Sequence, residues 1–389
     1  MQRKTSALQP MDLPRSAANG PAYRSLQAIL QRADIRLDGH RPWDIRVHDP
    51  NVPTRVLAYG NLGLGESYMD GQWDCDAIDQ LFDRLLRTQL DQEVRSLSIW
   101  LRQLQARWLN LQTEQRAWRV GRQHYDLGND FYTAMLGQSM AYTCAFWQNS
   151  QTLDAAQEHK LDLVCRKLGL QPGMRVLDIG CGWGSFMRYA AQRYGVQCVG
   201  VTISEEQAAH GRHLCAGLPV EFRLADYRSL DERFDRIVSI GMFEHVGRKN
   251  YQTYMDVALR CLASDGLFLL HTIGRNDRGY GTDPWIHRYI FPNGELPGMA
   301  DIAQACEHRF VVEDLHNFGA DYDRTLMAWH ANVQAAWPRF AEQLGPRFLR
   351  MWRYYLLSCA GAFRARDIQL WQWVLSHPGR SGVYARLAG

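Results

Sequence analysis

From His124 onward, the apolar residues alternate between short runs of strand length and longer stretches at helical spacing. Arg175–Ile179, Gln197–Thr202, Val220–Leu224, Asp235–Ile240, Leu267–His271 and Phe310–Leu315 read as strands. Helical stretches separate the first five, the rhythm that βαβ connections of a parallel sheet require. Two longer amphipathic stretches, Thr325–Gln343 and Arg347–Arg364, precede a last apolar run, Ile368–Leu375. That run predicts an antiparallel strand inserted beside the sheet edge, completing an α/β fold with helices on both faces of a mostly parallel sheet.

Upstream the pattern is different. Residues 1–20 are polar with Pro and Gly, and are expected to be disordered. Ile35–Leu37 and Trp43–Val47 read as strand pieces. The glycine-rich segment Tyr59–Trp73 holds Gly60, Gly63 and Gly65 with no convincing βα unit around it, so a structural turn is expected there. Ala77–Trp118 carries apolar residues at helical spacing (Leu81, Leu85, Leu86, Leu90, then Leu97, Trp100, Leu101, Leu104). The organisation expected is an N-terminal domain over 21–95, a linker helix over 96–123 and a catalytic domain over 124–389.

Composition narrows the partners. The 389 residues are 46% hydrophobic and 22% charged with a net charge of +3, which suits a soluble globular chain of two domains. Lysine is confined to Lys4, Lys160, Lys167 and Lys249, and no basic stripe stands out, so no nucleic-acid partner is expected. The nine cysteines are scattered without a C-x-x-C pair. That argues against disulfides and a metal site and for a reducing cytoplasm. No signal-peptide run follows Met1–Thr5, and no window approaches the ~18 apolar residues of a membrane span, so a membrane is expected to be met from the side.

The chemistry centres on Arg175-Val-Leu-Asp-Ile-Gly-Cys-Gly-Trp-Gly-Ser185. Gly180, Gly182 and Gly184 recur at alternate positions after Asp178, as in a buried strand that turns tightly into a helix and bares its backbone to a ligand. A dinucleotide loop uses G-x-G-x-x-G to seat a pyrophosphate. The D-x-G-x-G-x-G found here resembles motif I of class I S-adenosylmethionine (SAM) methyltransferases, whose ligand presents an amino acid and a ribose. Ligands of such sheets bind at the carboxyl ends of the strands. That places Asp178–Ser185, Thr202, Asp226, Gly241–His245 and His271–Ile273 around one cleft.

Other segments join it in order: His124–Asp130, Met140–Trp147, Val199–Gln207, Ile240–Val246, Leu269–Gly274, Pro284–Ile286, Tyr289–Gly294 and His316–Tyr322. The ordered set closely resembles the bacterial cyclopropane-fatty-acyl-phospholipid synthases and, less closely, the mycolic-acid cyclopropane synthases. The resemblance covers nearly the whole chain and includes Leu62–Gly71, which the shorter mycolic-acid enzymes lack. It implies a Rossmann-like class I SAM methyltransferase domain with a seven-stranded, mostly parallel sheet. A smaller N-terminal α+β domain for lipid contact and dimerisation precedes it.

The reaction so implied transfers a methylene from SAM to the cis double bond of a phospholipid acyl chain. It passes through a carbocation that bound bicarbonate deprotonates, and leaves a cyclopropane ring and S-adenosylhomocysteine (SAH). Such a site must be dry, stabilise a cation and hold a base. Aromatic faces contribute ~0.5–2 kcal/mol each to a cation, and Tyr142, Phe146, Trp147, Trp285, Tyr289 and Phe291 are candidates, with core packing as the alternative for each. The resemblance carries a bicarbonate site over to Cys144, Glu244, His271, Ile273 and Tyr322. His271 and Tyr322 donate to the anion, as does a backbone N–H near Cys144 or Ile273, and Glu244 accepts its O–H. A plain Glu244–His271 salt bridge is the other reading of that pair.

For SAM, Tyr142 and Thr143 are expected over the methionine end, with Asp178 and the Gly180–Gly184 backbone beneath it. Thr202 and Gln207 stand where the wider class has an acidic ribose ligand. Asp226, Tyr227 and Arg228 form the adenine wall, with Tyr227 as its flat surface. Cys181 reads as a packing residue, His245 as a structural residue facing away from Glu244, and His271 as the end of its strand. The expected partners are a cis-unsaturated phospholipid, the inner face of the cytoplasmic membrane and a second copy of the chain, packed through the N-terminal domain and the Leu97–Trp118 helix. The competing readings are a lipid methyltransferase that leaves a methyl branch or a methylated alcohol, methylation of a small soluble acceptor, and an idle SAM- or lipid-binding module.

Overall fold

The computed structural model describes residues 20–90, 128–277 and 282–387. The expected linker helix over 96–123, its Leu97–Trp118 run, and all of the expected disordered stretch except Gly20 lie outside the described residues.

The N-terminal region is built from α1 (Pro21–Gln31), α2 (Val52–Tyr59), α3 (Asn61–Met69) and α4 (Ile78–Arg87). A short antiparallel ladder, β1 (Arg46–Val47) with β2 (Trp73–Asp74), ties it together. The expected turn over Tyr59–Trp73 is therefore mostly helix, broken from α2 only at Gly60. Gly63 and Gly65 answer to space instead: a Cβ on Gly65 would meet Trp285 Cδ1 at 2.4 Å, and one on Gly63 the Arg55 carbonyl oxygen at 2.3 Å. The strand pieces shrink to β1 and a single Leu37–Ile45 bridge.

α5 (Asn129–Leu136) and α6 (Leu153–Lys167) lead into the sheet, whose strands are β3 (Arg175–Ile179), β4 (Gln197–Thr202), β5 (Val220–Leu224), β6 (Phe234–Ile240), β7 (Leu262–Arg275), β8 (Val311–Asn317) and β9 (Ile368–Ser376). Their order is β5-β4-β3-β6-β7-β9-β8, with β9 antiparallel to both its neighbours. β3 is buried at every position after Arg175, as a central parallel strand should be. The chain passes from β3 to β4 on one side and to β6 on the other, so the crevice opens at the carboxyl ends of β3 and β6. Connections are made by α7 (Ser185–Tyr194), α8 (Glu205–Leu214) and α9 (Tyr251–Cys261). α10 (Pro284–Tyr289), α11 (Met299–Cys306), α12 (Ala320–Ala336) and α13 (Ala341–Arg364) follow.

One strand end differs from expectation in a way that matters. β7 does not stop at His271. β6 pairs as far as Ile240 with His271, and Gly241 then turns away at φ 71°. β7 runs on to Arg275, paired over Thr272–Arg275 with β9. On the edge that β6 has left, the ladder hydrogen bonds of β7 need another partner.

The apolar core around α1–α4 continues without a break into α5, α12 and α13: Leu30, Tyr68 and Phe82 belong to one buried cluster with Phe131, Trp329, Trp352 and Tyr354.

Candidate functional site

The Asp178–Ser185 loop is set by backbone geometry. Gly180 has φ 84° and Gly184 φ 80°, and a Cβ on Gly184 would stand 2.4 Å from Phe222. The N–H groups of Gly180 and Cys181 both donate to the Val201 carbonyl, which fastens the loop to β4. At the end of β4, Thr202 Oγ1 donates to Gln207 Oε1 at 3.1 Å and accepts from Ser204 N–H. Ser204 in turn caps α8 through the Gln207 N–H. Asp226 accepts from Arg228 N–H and pairs with its guanidinium at 2.8 Å. Tyr227 lines the cleft with little free face: its ring meets Tyr254 edge-on at 5.1 Å, and the Arg228 guanidinium lies 4.7 Å above it.

The segment carrying Tyr142, Thr143 and Cys144 is held from α6 and α12. Gln157 Nε2 donates to the Thr143 carbonyl at 2.9 Å, and Lys160 Nζ to Thr143 Oγ1 at 3.0 Å. Thr325 Oγ1 accepts from Ala145 N–H and from Trp147 Nε1–H. Lys160 is fully buried; desolvation lowers its ammonium to about 8, opposed by Asp178 and Cys144. Desolvation raises the Asp178 carboxyl to about 7, and Lys160 opposes that rise. Lys160 is not among the expected site residues: it sits on the buried stripe of α6 with Ala156 and Val164, a place that periodicity reads as packing. The Cys144 and Cys181 thiols are pushed far up by burial, so neither is a thiolate nucleophile.

At the end of β6, Glu244 sits in a short 3₁₀ turn, Phe243–His245. Its Oε1 accepts the Ile273 N–H at 2.7 Å, from the edge of β7 that β6 has left open. The N–H expected to reach a bound anion from Ile273 is thus already committed to Glu244. Glu244 Oε2 is buried without a well-formed hydrogen bond, the Thr272 side chain lies near enough to favour the ionised carboxyl slightly, and desolvation, the larger effect, raises that carboxyl to about 7. His271 is buried beside Phe318, and its Nδ1 lies 3.3 Å from Gln372 Nε2. With that amide donating, the ring proton belongs on Nε2, which is also buried, without a hydrogen bond. Burial pushes His271 well below its ordinary pKa, so it is neutral. Tyr322 stacks on Phe363 at 4.4 Å, and burial pushes its hydroxyl well above its ordinary pKa, so it stays a protonated donor.

Most of these parts line one cavity of about 680 Å³. Of the expected residues, Tyr142, Thr143, Asp178, Gly180, Gly182, Thr202, Gln207, Asp226, Tyr227, Arg228, Glu244, Ile273 and Tyr322 line it; Gly184, Cys144 and His271 do not. His245 lines it too, contrary to the expectation that it faces away: it is exposed and its ring is edge-on to Phe291 at 5.7 Å.

The aromatic wall also differs from expectation. Tyr142 and Phe291 contribute to it, whereas Phe146 packs on His316 and Phe318, Trp147 anchors to Thr325, and Trp285 and Tyr289 pack against each other at α10. Tyr355 joins the wall in their place, edge-on to Phe291, its hydroxyl 3.0 Å from that of Tyr142. Among the described residues, no group of three His, Cys, Asp or Glu side chains is placed to hold a metal ion.

Residues 112–373 match the mycolic acid cyclopropane synthetase family. The chain is 54% identical over 362 residues to the cyclopropane-fatty-acyl-phospholipid synthase of Escherichia coli K12, spanning 93% of this chain and 95% of that protein. The structure of mycolic acid cyclopropane synthase CmaA1 complexed with SAH and CTAB superposes with a TM-score of 0.62 at 35% identity, covering 66% of this chain and 97% of that one. Coclaurine N-methyltransferase bound to N-methylheliamine and SAH superposes with a TM-score of 0.67 at 25% identity, covering 80% and 98%.

Proposed function

The chain belongs to the mycolic acid cyclopropane synthetase family and is a SAM-dependent methyltransferase, and from that premise we propose that it is a cyclopropane-fatty-acyl-phospholipid synthase. It joins a methylene from SAM to the cis double bond of an acyl chain in a membrane phospholipid.

The observation that carries this reading is Glu244 Oε2, buried on the cavity wall without a hydrogen bond, with a second buried atom that lacks one, His271 Nε2, two residues before the Ile273 whose N–H Glu244 accepts. One is an acceptor and the other a neutral donor. Bicarbonate fits such a set, because it is an anion that carries its own O–H. Glu244, His271 and Tyr322 would hold it, with Ile273 orienting Glu244 and Gln372 orienting His271. Bound there, bicarbonate supplies the base for the proton lost as the ring closes.

SAM supplies the methyl group. Its methionine end is assigned to Tyr142, Thr143 and the Gly180–Gly184 backbone. There Lys160 and Asp178 offer opposite charges to the carboxylate and the ammonium of an amino acid. Its ribose falls to Thr202 and Gln207, and its adenine to Asp226, Tyr227 and Arg228. The rings of Tyr142, Phe291 and Tyr355 face the double bond, exclude water and stabilise positive charge on carbon.

The reading is tested by incubating the protein with SAM and vesicles of cis-unsaturated phospholipid, then analysing the acyl chains by mass spectrometry. Chains that gain one CH₂ and lose their alkene support it. Unchanged chains, or a methyl branch or hydroxyl in place of the ring, refute it.

A phospholipid substrate further supports work at a bilayer surface, proposed as peripheral association with the inner face of the cytoplasmic membrane. Among the described residues, no helix is long and apolar enough to cross one. Residues 21–95 are assigned to lipid contact and, with the segment that follows, to a homodimer. Absence of sedimentation with anionic vesicles would remove the first claim, and a monomer by light scattering the second.

A further inference from the structure

The cavity does not end at the reacting groups. Beyond Tyr322 and Tyr355 it continues past Cys359 and Phe363 of α13 and into the N-terminal helices. Every residue that α1, α2 and α4 give to its wall is aliphatic or aromatic, with Leu30, Val56 and Phe82 among them. The polar groups near this lobe satisfy one another: Asn61 Nδ2 donates to Asp283 Oδ2 at 2.9 Å, and Tyr354 donates its hydroxyl to Asn61 Oδ1. Asp283 also caps α10 through the Trp285 and Ile286 N–H groups. A lobe walled in this way offers an ordered water almost nothing to bind. Hydrocarbon is the ligand class that gains by filling it.

We propose that this lobe holds the methyl-terminal half of the acyl chain, so that α1, α2 and α4 measure the length beyond the double bond. This rests on the function proposed above. The two halves of the chain differ chemically. The ester half leads to a charged headgroup, which cannot be desolvated without a partner. The methyl half is hydrocarbon to its end. A lobe continuous with the site and lined by Leu, Val and Phe suits only the second. The N-terminal region thereby becomes part of the substrate site, which accounts for its sharing one core with α12 and α13.

Leu30→Trp and Val56→Phe narrow the lobe from two different helices. Each is assayed with SAM on vesicles of phosphatidylglycerol carrying oleoyl, palmitoleoyl or cis-vaccenoyl chains, with thermal melting run alongside. Oleoyl has a longer segment beyond its double bond than the other two, and cis-vaccenoyl has the longest segment on the ester side. Ring formation on oleoyl is expected to fall about tenfold relative to both others in each variant. A selective fall on cis-vaccenoyl would overturn the assignment by placing the ester half in the lobe. An equal fall on all three chains, or no change on any, would also overturn it. Absence of ring formation by the unmodified protein on every chain would instead refute the function proposed above, and this assignment with it.

Discussion

Lys160 Nζ donates to Thr143 Oγ1 at 3.0 Å, and an ammonium only 1% exposed rests on that hydrogen bond. Asp178 attracts it without a hydrogen bond between them. Two opposite charges buried beside a glycine loop are the complement of an amino-acid zwitterion.

If Lys160 receives the ligand carboxylate, removing the ammonium and removing the carboxylate should not be additive. The unmodified protein is expected to bind SAH about tenfold or more tightly than the analogue lacking the carboxylate. In Lys160→Met the two ligands should bind nearly alike. Isothermal titration calorimetry reads both affinities. A preference for SAH that survives intact in Lys160→Met would leave Lys160 a purely structural residue.

Glu244 gives a prediction whose sign is fixed by the direction of its shift. Burial raises its carboxyl from 4.5 to about 7, so the folded protein binds that proton more tightly than the unfolded chain. Its contribution to stability is therefore whole below 4.5 and is lost as pH rises from there to about 7. Glu244→Gln removes this dependence. The variant should out-melt the unmodified protein at about pH 8, by up to about 3 kcal/mol, and the gap should close toward the acid end. Calorimetry over a pH series checks it.

Activity should run the other way: with Oε1 taken by the Ile273 N–H, a protonated Glu244 carries its hydrogen on Oε2, which then donates instead of accepting the anion's O–H. Ring formation is expected to decline as pH falls through about 7. Glu244→Gln should keep its SAH affinity while losing about a hundredfold or more in ring formation. Unmodified turnover in that variant refutes the bicarbonate clamp.

Gly65 and Trp285 test the junction between α3 and α10. Gly65→Ala puts a Cβ where the indole lies, and overpacking of this kind costs about 1–3 kcal/mol. Trp285→Phe vacates part of that space, so the double variant should melt higher than the sum of the two single changes predicts. Additive melting losses would mean that the close approach does not constrain residue 65.

The same pair shows where the sequence was legible and where it was not. β3 to β6 and β9 could be read because continuous apolar runs between helical stretches are what a buried parallel sheet demands. Gly63 and Gly65 read as a turn because the atoms that exclude a Cβ lie outside that segment, at Arg55 and Trp285. The last residues of β7, Thr272–Arg275, have no apolar run and are strand only because β9 pairs with them. Lys160 on a buried stripe and Tyr355 on an amphipathic helix give periodicity no reason to mark them as site residues. Phe146, Trp147, Trp285 and Tyr289 carry the right chemistry, but tertiary packing points them elsewhere.

The last prediction concerns the cross-strand pair His271 and Gln372, which face each other across the β7–β9 ladder. Gln372 is fully buried, and its amide reaches His271 Nδ1 at 3.3 Å. A donor at Nδ1 selects the tautomer protonated at Nε2, the one able to donate to an anion beside Glu244. Gln372→Leu removes that selection with little change in volume. Ring formation is expected to fall about tenfold or more while SAH affinity holds, because His271 would no longer present its N–H consistently. Gln372→Glu should be worse: a carboxylate accepts at Nδ1, draws the proton there and leaves Nε2 as an acceptor facing the anion. Nitrogen NMR of the histidines, with the His271 signals assigned by their loss in His271→Gln, reports the tautomer directly. A His271 that stays protonated at Nε2 in both Gln372 variants, with ring formation undiminished, would show that Gln372 only fills space.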